Sequence, residues 1–226
     1  MLPIFIINIE KDNLRKEHIK KELSNINIGN YTFIKGIEES GFNNHEFQIN
    51  KYWKNIINCG EIGCFLSHYK IWNQIYKENI EAAIILEDDT YVVDDFTSKI
   101  KFLFDIPSNM YDLCYLSRNK LFPDTKEINI DNNLLIPSYS YNANAYILTH
   151  SGATKLINTD CINNIMPVDE FLPIMYDEKY PYKTYRDIFK NYPKLRALAF
   201  INNIADQISR TQFPSNIIHS NLYINR

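Results

Sequence analysis

Short, unbroken apolar runs and longer stretches with helical spacing take turns along this chain. The runs at residues 4–9, 31–35, 82–86, 111–117, 134–136, 143–149 and 196–201 read as strands. Residues 12–24 carry Leu14, Ile19 and Leu23 as a narrow helical stripe. A stronger helix opens at Gly60-Glu61-Ile62-Gly63 and runs to about Lys77, with Cys64, His68, Ile71, Trp72 and Ile75 on one face. Residues 92–104 are also predicted helical. Ser151-Gly152-Ala153 starts a helix through Ile157, with Ser151 or His150 near its cap, and Pro167 opens another in its first turn. Residues 38–58 have no clear period and read as loop with a short helix. Strands alternating with helices predict an α/β fold, with a mostly parallel central sheet flanked by helices. In such sheets ligands bind beyond the carboxyl ends of the strands. Residues 1–226 read as a single domain, and the polar tail from about residue 205 is expected to be mobile.

Length and composition narrow the options. A chain of 226 residues supports one sizeable core. The net charge of -3 and the scattered lysines supply no basic field for nucleic acid. Tyr and Phe are abundant, but Asn, Ile and Lys are enriched with them, so AT-rich coding accounts for the tyrosines as well as sugar stacking does. Cys59, Cys64, Cys114 and Cys161 fit no zinc spacing and read as free thiols in a reducing compartment. Residues 1–7 are apolar, yet too short for a signal peptide or membrane span. The expectation is a cytoplasmic protein with no membrane span.

Four segments carry candidate chemistry. The apolar run 82–86 ends in Glu87-Asp88-Asp89, and three acids at the end of a core strand need a cation or a ligand's donors to offset them. Hard divalent ions such as magnesium or manganese suit that donor set and bridge carboxylates to phosphates. Asn8 ends the first strand and Arg15 follows on the next helix. They read either as contacts to a base, ribose or phosphate, or as a turn residue and a solvated cation. The two glycines at 60 and 63 open a helix start where free N–H groups attract anions, with Glu61, Ser67 and His68 close by. His68 reads equally as a hydrogen-bonded core residue. Asp169-Glu170 opens a helix and supplies either a favourable cap or a base for an acceptor hydroxyl.

Together these segments resemble glycosyltransferase family 25. The resemblance rests on Gly60-Glu61-Ile62-Gly63-Cys64-Phe65-Leu66-Ser67-His68-Tyr69, Leu86-Glu87-Asp88-Asp89 and Met166-Pro167-Val168-Asp169-Glu170-Phe171-Leu172-Pro173. Ile7-Asn8-Ile9, Tyr111-Asp112-Leu113, Tyr139-Ser140-Tyr141, Ala145-Tyr146-Ile147 and Ser151-Gly152-Ala153 fit as well, so it spans residues 3–186. The Pro-Val-Asp-Glu-Phe-Leu-Pro segment is similar to the procollagen galactosyltransferase branch more than to the bacterial lipooligosaccharide branch.

The resemblance implies a GT-A-like fold, a UDP-sugar donor, Mn2+ or Mg2+, and inversion at the anomeric carbon. It implies that Glu87 and Asp89 hold the metal. Asp88, Asn8, Arg15, Glu61, Gly63, Ser67 and His68 would surround the donor, and Asp169 or Glu170 would serve as base. The acceptor would be hydroxylysine of a collagen-like protein or a glycan, and the sugar galactose or glucose. Two departures stand out. Only Arg15 remains of the arginines usual in the family's first helix. The stretch Asn202-Asn203-Ile204-Ala205-Asp206-Gln207-Ile208-Ser209-Arg210 replaces a His- and Asp-rich one, leaving Asp206, Ser209 or His219 as substitutes for a second metal ligand. A non-catalytic glycan- or nucleotide-binding module is the alternative from another class, and a nucleotidyltransferase ranks last because no basic triphosphate loop is present.

Overall fold

A computed structural model describes residues 2–43, 46–53, 57–103, 106–107 and 109–208. The amino-terminal half lays down β1 (Ile4–Asn8), α1 (Asn13–Asn25), β2 (Thr32–Lys35), α2 (Cys59–Lys77), β3 (Ala82–Glu87), β4 (Thr90–Val92) and α3 (Phe96–Phe102). The remainder adds β5 (Leu113–Tyr115), β6 (Asn119–Lys120), β7 (Ile128–Asn129), β8 (Leu134–Ile136), β9 (Ser140–Tyr141), β10 (Ala145–Thr149), α4 (His150–Ile157), α5 (Val168–Tyr176), α6 (Lys183–Ile188), β11 (Ala197–Phe200) and β12 (Ala205–Gln207). Eight strands form one sheet in the order β2-β1-β3-β10-β5-β11-β8-β7. Six of these point one way and only β8 and β10 are reversed. This is the GT-A-like α/β fold that the resemblance implied.

The apolar strands are continuous because both faces of the sheet are covered. Alternation along β3 sends Ala83 and Ile85 to one core and Ala82, Ile84 and Leu86 to the other. The first core takes Trp72 and Phe65 from α2, Leu156 from α4 and Phe171 from α5. The second takes Ile19 and Leu23 from α1 with Phe96 and Ile100 from α3. At the far edge of the sheet Asp112 ties β5 to β11 and α4. It accepts from Arg196 Nε at 2.9 Å and Nη2 at 2.8 Å, from Lys155 at 2.6 Å and from Ser151 at 2.7 Å. Burial alone would raise its pKa, but the Arg196 and Lys155 contacts hold it well below the usual carboxylate range.

Three expectations change. Leu14 is 77% exposed and Arg15 takes the interior place on α1, because acids rather than apolar groups lie beneath it. The helix expected from residue 92 begins only at Phe96, and Val92 instead ends a strand over 90–92, since that backbone pairs with β12. The same pairing orders residues 205–207, the beginning of the tail expected to be mobile; Ser209 and His219 lie outside the described residues. No helix among the described residues is long and apolar enough to cross a membrane.

Replacing Asp112 by Asn leaves Lys155 and Arg196 facing an amide. The expected loss is about 2–3 kcal/mol, read as a lower denaturation midpoint with unchanged secondary structure.

Candidate active site

β1 and β3 run parallel, so Asn8 and Glu87 emerge at the same carboxyl edge of the sheet. β10 enters there from the opposite direction and brings Asn144 and Ala143 beside them. Asn144 is tied in by its carbonyl, which accepts from the Glu87 N–H at 2.7 Å and from Thr90 Oγ1 at 3.1 Å.

The three acids have different surroundings. Asp88 is fully engaged: Asn8 Nδ2 donates to Oδ2 at 2.7 Å and Arg15 Nη1 to Oδ1 at 3.0 Å. It therefore fixes Asn8 and Arg15 rather than pointing at a donor, and those two side chains face the acids instead of open space. The same guanidinium nitrogen lies 3.1 Å from Asp89 Oδ2, which also accepts from Gln207 Nε2 at 3.0 Å. Asp89 Oδ1 is buried with no hydrogen-bond partner among the described residues, and so is Asn144 Oδ1. Glu87 turns Oε1 toward His68 Nε2 at 3.2 Å and Cys64 Sγ at 3.5 Å. Asp88 and Asp89 thus share the Arg15 guanidinium, while Glu87 is held by His68 and Cys64. Burial and the charge of Glu87 raise the Asp89 pKa to about 7 despite Arg15. Burial also raises Asp88, whereas at Glu87 burial acts in the same sense but the hydrogen bonds to His68 and Cys64 and the charge of Arg15 together lower it. A buried carboxylate oxygen without a hydrogen-bond partner is a hard donor that suits a divalent cation.

The segment 60–68 ties the start of α2 to the loop after β2 and to β10. Glu61 closes a capping box: its carboxylate accepts from the Asn58 N–H at 2.9 Å while Asn58 Oδ1 accepts from the Glu61 N–H at 2.9 Å. A Cβ on Gly63 would come 2.2 Å from the Ile37 carbonyl oxygen, so the helix and the loop after β2 touch there through bare backbone. Ser67 Oγ accepts from the Ile37 N–H at 2.9 Å and donates to the Gly63 carbonyl at 2.6 Å. His68 is fully buried, with Nδ1 2.8 Å from the Tyr146 hydroxyl, itself the acceptor of Trp72 Nε1 at 2.8 Å. With Glu87 ionised, a donor chain from Trp72 through Tyr146 and His68 to Glu87 leaves no proton unused.

On α5 the two acids diverge. Asp169 Oδ1 accepts from the Ala143 N–H at 2.8 Å, and its other oxygen has no protein partner among the described residues. Burial, then the charge of Glu87, raise its pKa to about 6 against the Ala143 hydrogen bond. Glu170 is buried in a cage of tyrosine hydroxyls: Tyr139 at 2.7 Å and Tyr180 at 2.5 Å on Oε2, and Tyr141 on Oε1. Burial, then these bonds, push the Tyr139 and Tyr180 pKa values far up. Beside the cage Asn142 adopts φ 90°, a left-handed backbone for a non-glycine, just before the N–H that holds Asp169. Tyr180 and Tyr185 are buried, and Tyr182 is exposed.

Sequence reasoning passed over Gln207 and Asn144. Asp206, weighed as a metal ligand, alternates outward toward Tyr91, and Gln207 is the residue that reaches Asp89. Only the period of two in β12 could have singled it out.

A family model described as Glycosyltransferase family 25 (LPS biosynthesis protein) matches residues 1–172. Procollagen galactosyltransferase 1-B of Xenopus laevis is 32% identical over 82% of this chain and 33% of its own length. Inactive glycosyltransferase 25 family member 3 of Mus musculus is 34% identical over 69% of this chain and 28% of its own. The chain therefore spans about a third of the length of these curated relatives. Among solved structures, a glycosyltransferase involved in glycosylation of the PBCV-1 major capsid aligns with TM-score 0.45 and 11% identity, over 93% of this chain and 95% of that one.

The raised Asp89 pKa has a thermodynamic consequence. An unfolded Asp titrates near 4, so between about 4 and 7 the folded state binds more protons and stability falls as pH rises through that window. Without divalent ions, Asp89→Asn is expected to melt several degrees above the wild type at pH ~8, at about 2–4 °C per kcal/mol for this size, with the gap closing toward pH ~4. Paired thermal melts across pH test this.

Proposed function

The chain belongs to glycosyltransferase family 25, and from that membership we propose that it transfers a hexose, galactose or glucose, from a UDP-sugar to a hydroxyl acceptor with inversion. The observation that carries this reading is a buried Asp89 oxygen without a hydrogen-bond partner among the described residues, together with a half-buried carboxylate, Asp169, that feels the charge of Glu87. Glu87 and Asp89 would hold Mn2+ or Mg2+, which when bound supplies Lewis-acid stabilisation of a departing diphosphate. Galactose, and hydroxylysine of a collagen-like protein as acceptor, are favoured over glucose and a free glycan by the procollagen galactosyltransferase relatives.

The protein's own groups divide the work. Arg15 locks Asp88 and steadies Asp89, so the metal-binding oxygen is held without a competing hydrogen bond. Asp169 is pinned through one oxygen by the Ala143 N–H and takes the acceptor proton on the other. The acceptor oxygen then bonds to the anomeric carbon as the bond to the β-phosphate oxygen breaks, and UDP departs with the electron pair. Glu170 is occupied by three hydroxyls and positions α5 against β9 instead of acting as base.

The second reading, a binding module without turnover, is favoured by the relative named inactive and by Gln207 standing beside Asp89 where an acid or histidine was expected. UDP release measured with UDP-galactose, UDP-glucose, Mn2+ and a hydroxylysine-containing collagen-like peptide separates the two. Turnover is expected, and UDP binding without release across donors and acceptors would leave only the module.

Two variants sharpen the assignment. Asp89→Ala is expected to lose metal-stimulated UDP release while retaining the wild-type circular dichroism spectrum. Asp169→Asn is expected to lower kcat about 10²–10⁴-fold with UDP affinity little changed. In the wild type kcat/KM should rise with pH through about 6 as Asp169 ionises, then level off. Weakened UDP binding alone in the Asn variant would place the base elsewhere.

A further inference from the structure

Cys64, His68 and Glu87 converge on one point that sugar transfer does not require. Cys64 and His68 lie one helical turn apart on the same face of α2, and Glu87 ends β3 opposite them. Their ligand atoms all fall within 4.8 Å of one another, with Sγ 3.5 Å and Nε2 3.2 Å from Glu87 Oε1. Ligands around a tetrahedral zinc ion with ordinary bond lengths stand about 3.5 Å apart, so this cluster is already near the required spacing. We propose that Cys64, His68 and Glu87 form a zinc site that borrows Glu87 from the catalytic cation, so that zinc occupancy inhibits the transferase.

The surroundings suit that role. A histidine ligand normally has its second ring nitrogen held by a fixed partner, and His68 Nδ1 is held by the Tyr146 hydroxyl, which Trp72 fixes in turn. The Glu87 side chain is 21% exposed and Cys64 is partly exposed, which leaves an entry path and an open fourth position. Thiolate and imidazole favour zinc over manganese, whereas the oxygens of Asp89 and Asn144 favour the harder ion. Zinc binding releases the Cys64 thiol proton to solvent as the zinc–sulfur bond forms, and His68 shifts its proton from Nε2 to Nδ1, where the Tyr146 hydroxyl oxygen accepts its hydrogen bond, so that Nε2 is free for the ion and nothing is oxidised or reduced. Inhibition rests on the proposed transferase reading; the binding itself does not.

Co2+ titration of the whole metal-free protein tests binding independently of activity. The expected result is a thiolate-to-cobalt charge-transfer band with tetrahedral d–d bands, removed by stoichiometric Zn2+ and absent from Cys64→Ser. In the wild type alone, Zn2+ should shield Cys64 from alkylation, as read by mass spectrometry, so the test survives if the Ser variant fails to fold. In the UDP-release assay at fixed Mn2+, Zn2+ should slow the wild type, and Cys64→Ser should need about tenfold more zinc or higher for equal inhibition. A wild type without the charge-transfer band and without shielding of Cys64 overturns the site. A band with zinc inhibition unchanged in Cys64→Ser overturns the competition at Glu87.

Discussion

Undercompensated negative charge at the carboxyl end of β3 is the constraint around which this molecule is arranged. Among the described residues Asp88 and Asp89 contact one guanidinium, that of Arg15, and Glu87 precedes them, in a place largely closed to water. Burying three acids beside one cation is unfavourable, and the protein resolves it unevenly. Asp88 receives two strong donors, Glu87 receives a histidine and a thiol, and Asp89 keeps an oxygen with no partner. The residual charge is expressed in an Asp89 pKa raised to about 7 by burial and the neighbouring acids.

The Asp112 cluster at the other edge of the sheet shows how the same chain treats an acid that has only to hold elements together. There a buried carboxylate receives donors from Arg196, Lys155 and Ser151 and has its pKa driven down. Full satisfaction at one edge and deliberate shortage at the other separate structural from chemical use of the same side chain. The contrast repeats within α5, where adjacent Glu170 and Asp169 have opposite fates. Three tyrosine hydroxyls consume Glu170, while Asp169 keeps one oxygen uncommitted and a pKa raised to about 6.

Most of the strands and helices were legible in the sequence because continuous apolar runs and helical stripes report burial on two faces of a sheet. The acids at 87–89 and 169–170 were legible as well, since charge directly after a core strand or at a helix start stands out from its surroundings. Leu14 and Arg15 were misjudged because hydropathy ranks an arginine as a surface group, and only the acids beneath it reverse that. The 90–92 strand was missed because its partner, β12, lies more than a hundred residues away.

The sequence alone determined the α/β alternation and the run of acids directly after a core strand. Tertiary structure alone decided how the donors are shared out. It spent Gly63, Ser67 and Glu61 on packing and capping, brought Gln207 rather than Asp206 to Asp89, and set Cys64 and His68 against Glu87. Periodicity reports which face a residue occupies, but a hydrogen bond or ion pair depends on angles and distances between elements that are far apart in the chain.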